Sequence, residues 1–245
     1  NIGTNSFATV AMPITACWGP AYTGADADGG TIESALENVM WDKFPATQAG
    51  LEAFVAAYRG PASNYRLSKD YSYQMAMTLL TAGYDVLVCR LCPGAKATAS
   101  AYAHTADDSG TTTKNQFLIN AKYPGSFGNN LKVSLAKAQY GNYWNLITYV
   151  VDSSKVQTAV ENLIFTFDLK NSNDSIPHIS ELESKFLTVY AEDNLTDDGT
   201  KFADSDTATG DDLKQSYVFV LEGGTDKADG IDSETIKTDT LNLVR

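Results

Sequence analysis

Four groups of residues in this chain have types that could do chemistry. The first is a pair of histidines, His104 and His178, each set in a Ser/Thr/Asp-rich stretch. His104 with Asp107 or Asp108, and a serine from elsewhere, supplies the parts of a Ser-His-Asp hydrolase. No nucleophile elbow accompanies them, because Pro124-Gly-Ser126-Phe-Gly128 lacks the G-x-S-x-G spacing, and both histidines read as surface residues. The second is Cys89-Arg-Leu-Cys92, formally a CxxC motif. It closes a strand-like run with no second such pair and no nearby histidine, so buried structural thiols are the better reading. The third is a set of acidic turns, Asp26-Ala-Asp28-Gly-Gly and Asp226-Lys-Ala-Asp229-Gly-Ile-Asp232, which place hard oxygen ligands beside a turn glycine as calcium loops do. Asp26, Asp28, Asp226, Asp229 and Asp232 are therefore candidate metal ligands, although neither turn has the full twelve-residue calcium spacing. The fourth is the glycine-rich stretches. None carries a phosphate-loop lysine or a dinucleotide fingerprint, and Gly223-Gly224 follows a strand without opening a helix. Neither a catalytic residue nor a cofactor is expected.

Composition narrows the classes further. The 245 residues are 43% hydrophobic, enough for a substantial core, and the many aromatic residues sit mostly where a helix or strand would bury them. No apolar run approaches the roughly 20 residues of a membrane helix, and the N-terminus lacks the shape of a signal peptide. Three cysteines (Cys17, Cys89, Cys92) cannot all pair within one chain, which suits a reducing compartment. The net charge of −12 argues against nucleic acid or an anionic membrane as partner. Glu192 to Asp239 carries fourteen acidic residues and four lysines, whereas Ser109 to Val151 holds Lys114, Lys122, Lys132 and Lys137 and no acid. That split suggests a basic face around Lys132 and Lys137 meeting acidic loops between Glu192 and Asp212 of another copy.

The elements that would position these groups change character midway. Phe7 to Ala16 reads as a buried strand followed by a turn at Trp18. Helices are predicted over Thr31 to Phe44 and over Gln48 to Arg59, the second capped by Thr47 and burying Leu51, Phe54, Val55 and Tyr58. A third, from Ser68 to Thr81, would bury Tyr71, Met75, Thr78 and Leu79. Tyr84 to Leu91 is a short β-branched run of the kind buried on both faces. Ala95 to Lys114 is ambiguous between weak helix and loop. Beyond it the period falls to two: a hairpin from Leu131 to Ala138 and Trp144 to Val151, then strands at Leu163 to Leu169, Phe186 to Ala191 and Ser216 to Leu221. A helix fits Lys155 to Glu161, and Ser180 to Glu183 fits a capping box.

The hand-over lies in Asn120 to Leu135, where Pro124 fixes one φ angle and Gly125, Gly128 and Asn129-Asn130 readily supply positive φ. Val218 to Asp226, with Gly223 and Gly224, reads as the way back. Ala121 to Leu135 (AKYPGSFGNNLKVSL) resembles the motif by which contractile-tail sheath proteins of phages and related injection particles pass into a β-sandwich domain. Val220 to Asp226 (VLEGGTD) is similar to their return motif, although Lys227 stands where the family often has glycine. Thr9 to Pro20 and Leu79 to Leu91 are similar to the family's first strand with its W-G-P turn and to its helix-Gly-strand segment.

The resemblance implies an α/β fold: part of a subtilisin-like sheath domain with an inserted β-sandwich domain. Residues 1–119 would be the first part of the α/β domain, 120–222 the inserted domain, and 223–245 a return segment towards an α/β domain incomplete here. Tyr123, Pro124, Gly125, Gly128, Asn129, Gly223, Gly224 and Asp226 would form the structural junction. The implied role is a virion subunit assembled in the bacterial host cytoplasm. It would polymerise as stacked, hexameric rings around a tail tube protein, between baseplate and tail terminator proteins, and contract to drive the tube through an envelope. No nucleic acid or membrane partner is implied. The alternative from the acidic turns is a calcium-stabilised two-domain binding or adhesion module.

Overall fold

The computed structural model describes residues 8–21, 41–63, 65–92, 96–106, 112–139, 141, 143–191, 201–203 and 216–226. They fall into two compact units: the chain up to Lys96 with Tyr123–Phe127 and the residues from Gly224, and Ala97–Lys122 with Gly128–Gly223. The architecture is mixed α/β and mostly strand.

In the first unit, β1 (Thr9–Ile14) runs parallel to β3 (Asp85–Arg90), and β2 (Asp42–Phe44) pairs antiparallel with the other edge of β3. The three residues 42–44 were expected to end a helix; its residues 31–40 lie outside the described set. They form a strand because Phe44 pairs opposite Val86 and enters the core, while the Asp42 carboxylate accepts a 2.6 Å bond from Tyr58 Oη. Helix α1 (Gln48–Tyr58) starts where predicted, with Thr47 Oγ1 accepting from Gly50 N at 3.0 Å. It stops at Arg59, whose φ of 62° is left-handed, and buries Phe54 and Tyr58 while Val55 is exposed.

The third helix, predicted from Ser68, starts late, at Ser72, and a separate turn precedes it. A single turn, α2 (Tyr65–Ser68), breaks at Lys69 (φ 55°), and α3 (Ser72–Thr81) begins after Asp70 Oδ1 accepts from Ser72 N at 2.9 Å. The break rotates α3. Tyr73, Ala76 and Leu80 face the core, and Tyr71 and Met75, expected inside, are exposed. Helix α3 packs on β1 and β3, and α1 packs on α3 and β2, around Ile14, Phe44, Phe54, Tyr58, Tyr73, Leu80, Val86 and Val88.

In the second unit, β4 (Thr98–Ala106) and β5 (Thr112–Ala121) form a hairpin from the stretch read as weak helix or loop. Local Ala/Thr content is neutral here; burial of Phe117, Ile119 and Ala121 on one face decides for strand. With β9 (Leu187–Ala191) and β10 (Lys201–Ala203) they give a sheet of order β10-β4-β5-β9. The second sheet is β11-β6-β7-β8, from β6 (Leu131–Lys137), β7 (Trp144–Val151), β8 (Gln157–Phe165) and β11 (Ser216–Val220).

The helix expected over Lys155 to Glu161 is replaced by β8. Asp152 Oδ1 accepts from Ser154 N (2.8 Å) and Val156 N (2.9 Å), and Lys155 turns at φ 66°, closing a β7–β8 hairpin. Likewise Ser180 does not open a capping box. His178 accepts from Ser180 N at 3.3 Å and starts a 3₁₀ turn over Ile179–Glu181. Rings from both sheets meet in one cluster: Trp144 lies 5.1 Å from Phe202, and Phe117 lies 5.3 Å from Phe202 and 5.8 Å from Phe219. Glu161 on β8 accepts from Ser184 Oγ and, at 2.8 Å, from Lys185 N, and Ser184 Oγ in turn accepts from Phe186 N and Leu187 N. This ties β8 to the start of β9.

The rotated face of α3 has a direct consequence. Leu80→Ala is expected to cost about 2–5 kcal/mol in urea denaturation, as a buried truncation does. Met75→Ala should stay within about 0.5 kcal/mol of the parent. The reverse ranking would mean that α3 packs by its other face.

Candidate functional site

In the first unit the segment Tyr123–Phe127 and the residues from Gly224 to Asp226 come together with the turn that follows β1. Arg90, the last residue of β3, organises them. Its side chain is almost wholly buried, and among the described residues every hydrogen bond it makes goes to a backbone carbonyl: Ala16 O from Nε (3.0 Å) and Nη2 (2.8 Å), Gly19 O from Nη1 (2.7 Å), and Pro124 O from Nη2 (3.0 Å). Burial lowers its pKa from the ordinary arginine value, opposed by the negative charge of Asp226 among others. A guanidinium remains charged in any case, and its fixed fork of donors suits several carbonyls at once.

Asp226 is the second anchor. Oδ1 accepts from Ser126 N at 2.7 Å, and Oδ2 accepts from Ser126 Oγ and Ser63 N, each at 2.7 Å. One carboxylate thus joins three distant stretches of chain. The Cys92 thiol donates to Asp226 O at 3.3 Å, and Phe127 N donates to Cys17 O at 3.1 Å. Trp18, buried, meets Tyr123 (5.3 Å) and Phe127 (5.1 Å) edge to face, and the Arg59 guanidinium lies 5.4 Å from the Phe127 ring centre. Edge-to-face rings and a stacked cation each add about 0.5–1.5 kcal/mol to their burial.

The glycines of the predicted junction have different reasons for being there. Gly125 has φ 132°, and a Cβ there would lie 2.2 Å from Cys17 O and 2.7 Å from Arg90 Nη2, so conformation and space both demand glycine. Gly223 has φ 81° with nothing within 4 Å, so only its conformation does. Gly128, in the second unit, was expected to supply positive φ together with Asn129 and Asn130. All three instead lie in a 3₁₀ turn (Ser126–Asn130), where a Cβ on Gly128 would come within 2.9 Å of the Ala97 methyl. The structure therefore brings Tyr123, Pro124, Gly125 and Asp226 together around Arg90, Trp18, Ser63 and Ser126. Sequence reasoning missed these last four as a group, although a lone arginine closing the apolar run of β3 was a readable signal.

The other candidates serve the fold where they are described. Asp26, Asp28, Asp229 and Asp232 lie outside the described residues, as do Asp107, Asp108 and most of Glu192 to Asp212. Among the described residues no group of three His, Cys, Asp or Glu is placed to hold a metal. His104 lies on β4, opposite Lys114 and Lys201 in register. His178 is held at Nε2 by Phe167 O (3.1 Å) and at Nδ1 by Ser180 Oγ (2.8 Å). Lys132 Nζ donates to Gln157 Oε1 at 3.2 Å. Cys89 and Cys92 are buried, reduced thiols, and burial pushes Cys17 and Cys89 each up to about 11.

Three outcomes follow. Gly125→Ala should destabilise by about 1–3 kcal/mol or more through overpacking, beyond the about 1–2 kcal/mol of left-handed strain expected for Gly223→Ala in a melting comparison. Asp226→Ala strips acceptors from three donors and should cost about 1–3 kcal/mol. Because the fold holds the Cys17 and Cys89 protons more tightly than the unfolded chain does, their contribution is whole below the ordinary thiol pKa and lost as pH climbs through about 11. Alkylation at mild alkaline pH should accordingly be much slower in the native state than in urea.

No protein-family model and no curated protein matches the chain. Solved structures do. A sheath tail protein from Listeria innocua superposes with a TM-score of 0.52 at 20% identity, over 97% of this chain and 38% of that one. A sheath tail protein from Desulfitobacterium hafniense gives 0.51 at 14% identity, over 97% and 39%. The chain spans about two fifths of the length of these proteins. In fold, over nearly all its length, this chain is similar to part of the sheath tail proteins, the family that its junction motifs resemble.

Proposed function

We propose that the chain is part of a structural subunit of a contractile tail sheath. The observation that carries this reading is the fold similarity to sheath tail proteins over 97% of the chain, in a sequence whose junction motifs resemble that family's. In this reading the first unit is part of a subtilisin-like α/β sheath domain. The second unit, with its two sheets and shared aromatic cluster, is the inserted β-sandwich. Subunits polymerise with copies of themselves as stacked rings, hexameric as the family resemblance implies, around a tail tube protein, and meet baseplate and terminator proteins at the ends. They assemble in the host cytoplasm and act in the virion. No helix among the described residues is long and apolar enough to cross a membrane.

Contraction asks for rigid bodies whose contacts have two alternative packings. The buried arginine, the Asp226 anchor and the aromatic cluster supply rigidity within each unit, and the role needs no catalysis. The test is electron microscopy of the full-length subunit produced with its tube protein. Tubes or stacked rings are expected; their absence would sink the proposal.

A further inference from the structure

The face that α2 and α3 turn away from the core has the composition of a docking surface. Leu67 and Tyr71, on either side of the break at Lys69, and Met75 on α3 are 90%, 51% and 58% exposed. Isolated exposed apolar residues need no explanation, but three within nine residues, beside aromatic and cationic groups, do. Tyr65 meets Tyr71 edge to face at 5.9 Å. Arg66 stacks its guanidinium 5.5 Å from the Tyr65 ring centre and donates from Nε to Tyr65 Oη at 2.9 Å. Tyrosine, arginine and methionine are enriched at the centres of protein interfaces, and here three of the side chains are already held by one another. Less side-chain freedom then remains to be lost on binding.

Charge identifies the occupant. From Tyr65 to Tyr84 the sequence carries Arg66 and Lys69 against one acid, Asp70, on a chain with a net charge of −12. Asp70 is engaged inward: Oδ2 accepts from Thr15 Oγ1 at 2.7 Å and Oδ1 from Ser72 N. Arg66, Leu67 and Lys69 are exposed beside it. The patch is thus basic and apolar on an acidic molecule. Two such patches repel each other, so a two-fold contact of patch with patch is disfavoured.

We propose that the α2–α3 face docks the acidic surface of a second copy of this chain, in a head-to-tail contact. Contacts of that kind close into rings or run on as helices. The inference deepens the sheath reading, which requires such copies, but its test is separate.

The experiment is sedimentation velocity of the 245-residue chain over a concentration series, at about 50 mM and about 500 mM salt. Association that weakens at high salt is expected. Arg66→Glu and Leu67→Ser should each raise the dissociation constant about tenfold or more, with unchanged melting because both side chains are exposed. Val156→Ser, an exposed apolar residue beside β8, should leave it unchanged. A chain that stays monomeric throughout overturns the proposal; if Leu67→Ser also melts lower in that monomer, the face is covered by its own chain. Association that is indifferent to salt, or to both patch variants, overturns it as well. Electron microscopy separates the two ideas. Full-length Arg66→Glu that still forms tubes overturns this surface alone, whereas an unmodified subunit that forms none overturns the sheath role.

Discussion

A buried positive charge has to be answered, and much of the first unit is arranged around answering one. Leaving an unpaired ion in an apolar interior costs several kcal/mol, whereas hydrogen bonds to a charged group return about 1.5–3 kcal/mol each. Arg90 meets this demand with carbonyls instead of a carboxylate. Ala16, Gly19 and Pro124 turn their oxygens towards it, which fixes the path of the turn after β1 and the position of the junction segment. The constraint passes outward from there. Pro124 held at the guanidinium leaves no room for a side chain at Gly125, and Phe127 is placed against Trp18 and within reach of Arg59.

Asp226 complements this arrangement from a distance. Its carboxylate raises the arginine's affinity for its proton through space while its oxygens accept from Ser63 and Ser126. The division of labour is economical in physical terms. A direct Arg90–Asp226 pair would satisfy two charges but leave backbone carbonyls and amides of three loop segments unmet, and buried loops are tolerated only when those groups find partners. Two ions each spent on backbone groups satisfy the loops as well as themselves.

The second unit is held by different means. Strands β6 and β7 alternate cleanly, and the inward rings Phe117, Trp144, Phe202 and Phe219 meet with centres 5.1–5.8 Å apart. Apolar burial of this kind is strong but unspecific in register. Specificity comes from the polar tie of Glu161 to Ser184 and Lys185 and from the Asp152 turn that starts β8.

The sequence by itself determined what depends on short-range pattern. Alternation set β6, β7 and β11, a threonine cap set the start of α1, and the β-branched run set β3. The stretch around Pro124 and Gly125 stood out because proline fixes φ and glycine admits positive φ wherever they stand. Tertiary structure decided the rest. Whether Ala95 to Lys114 became strand rested on burying Phe117 and Ile119, and no local propensity records that. The face of α3 that packs depended on a break at Lys69, so an apolar pattern with two usable stripes left one of them outside. Arg90 looked like the end of a strand, and Asp226 like a metal ligand or a member of the return motif. Their roles exist only because segments 34 to 163 residues apart meet, and sequence spacing carries no trace of that meeting.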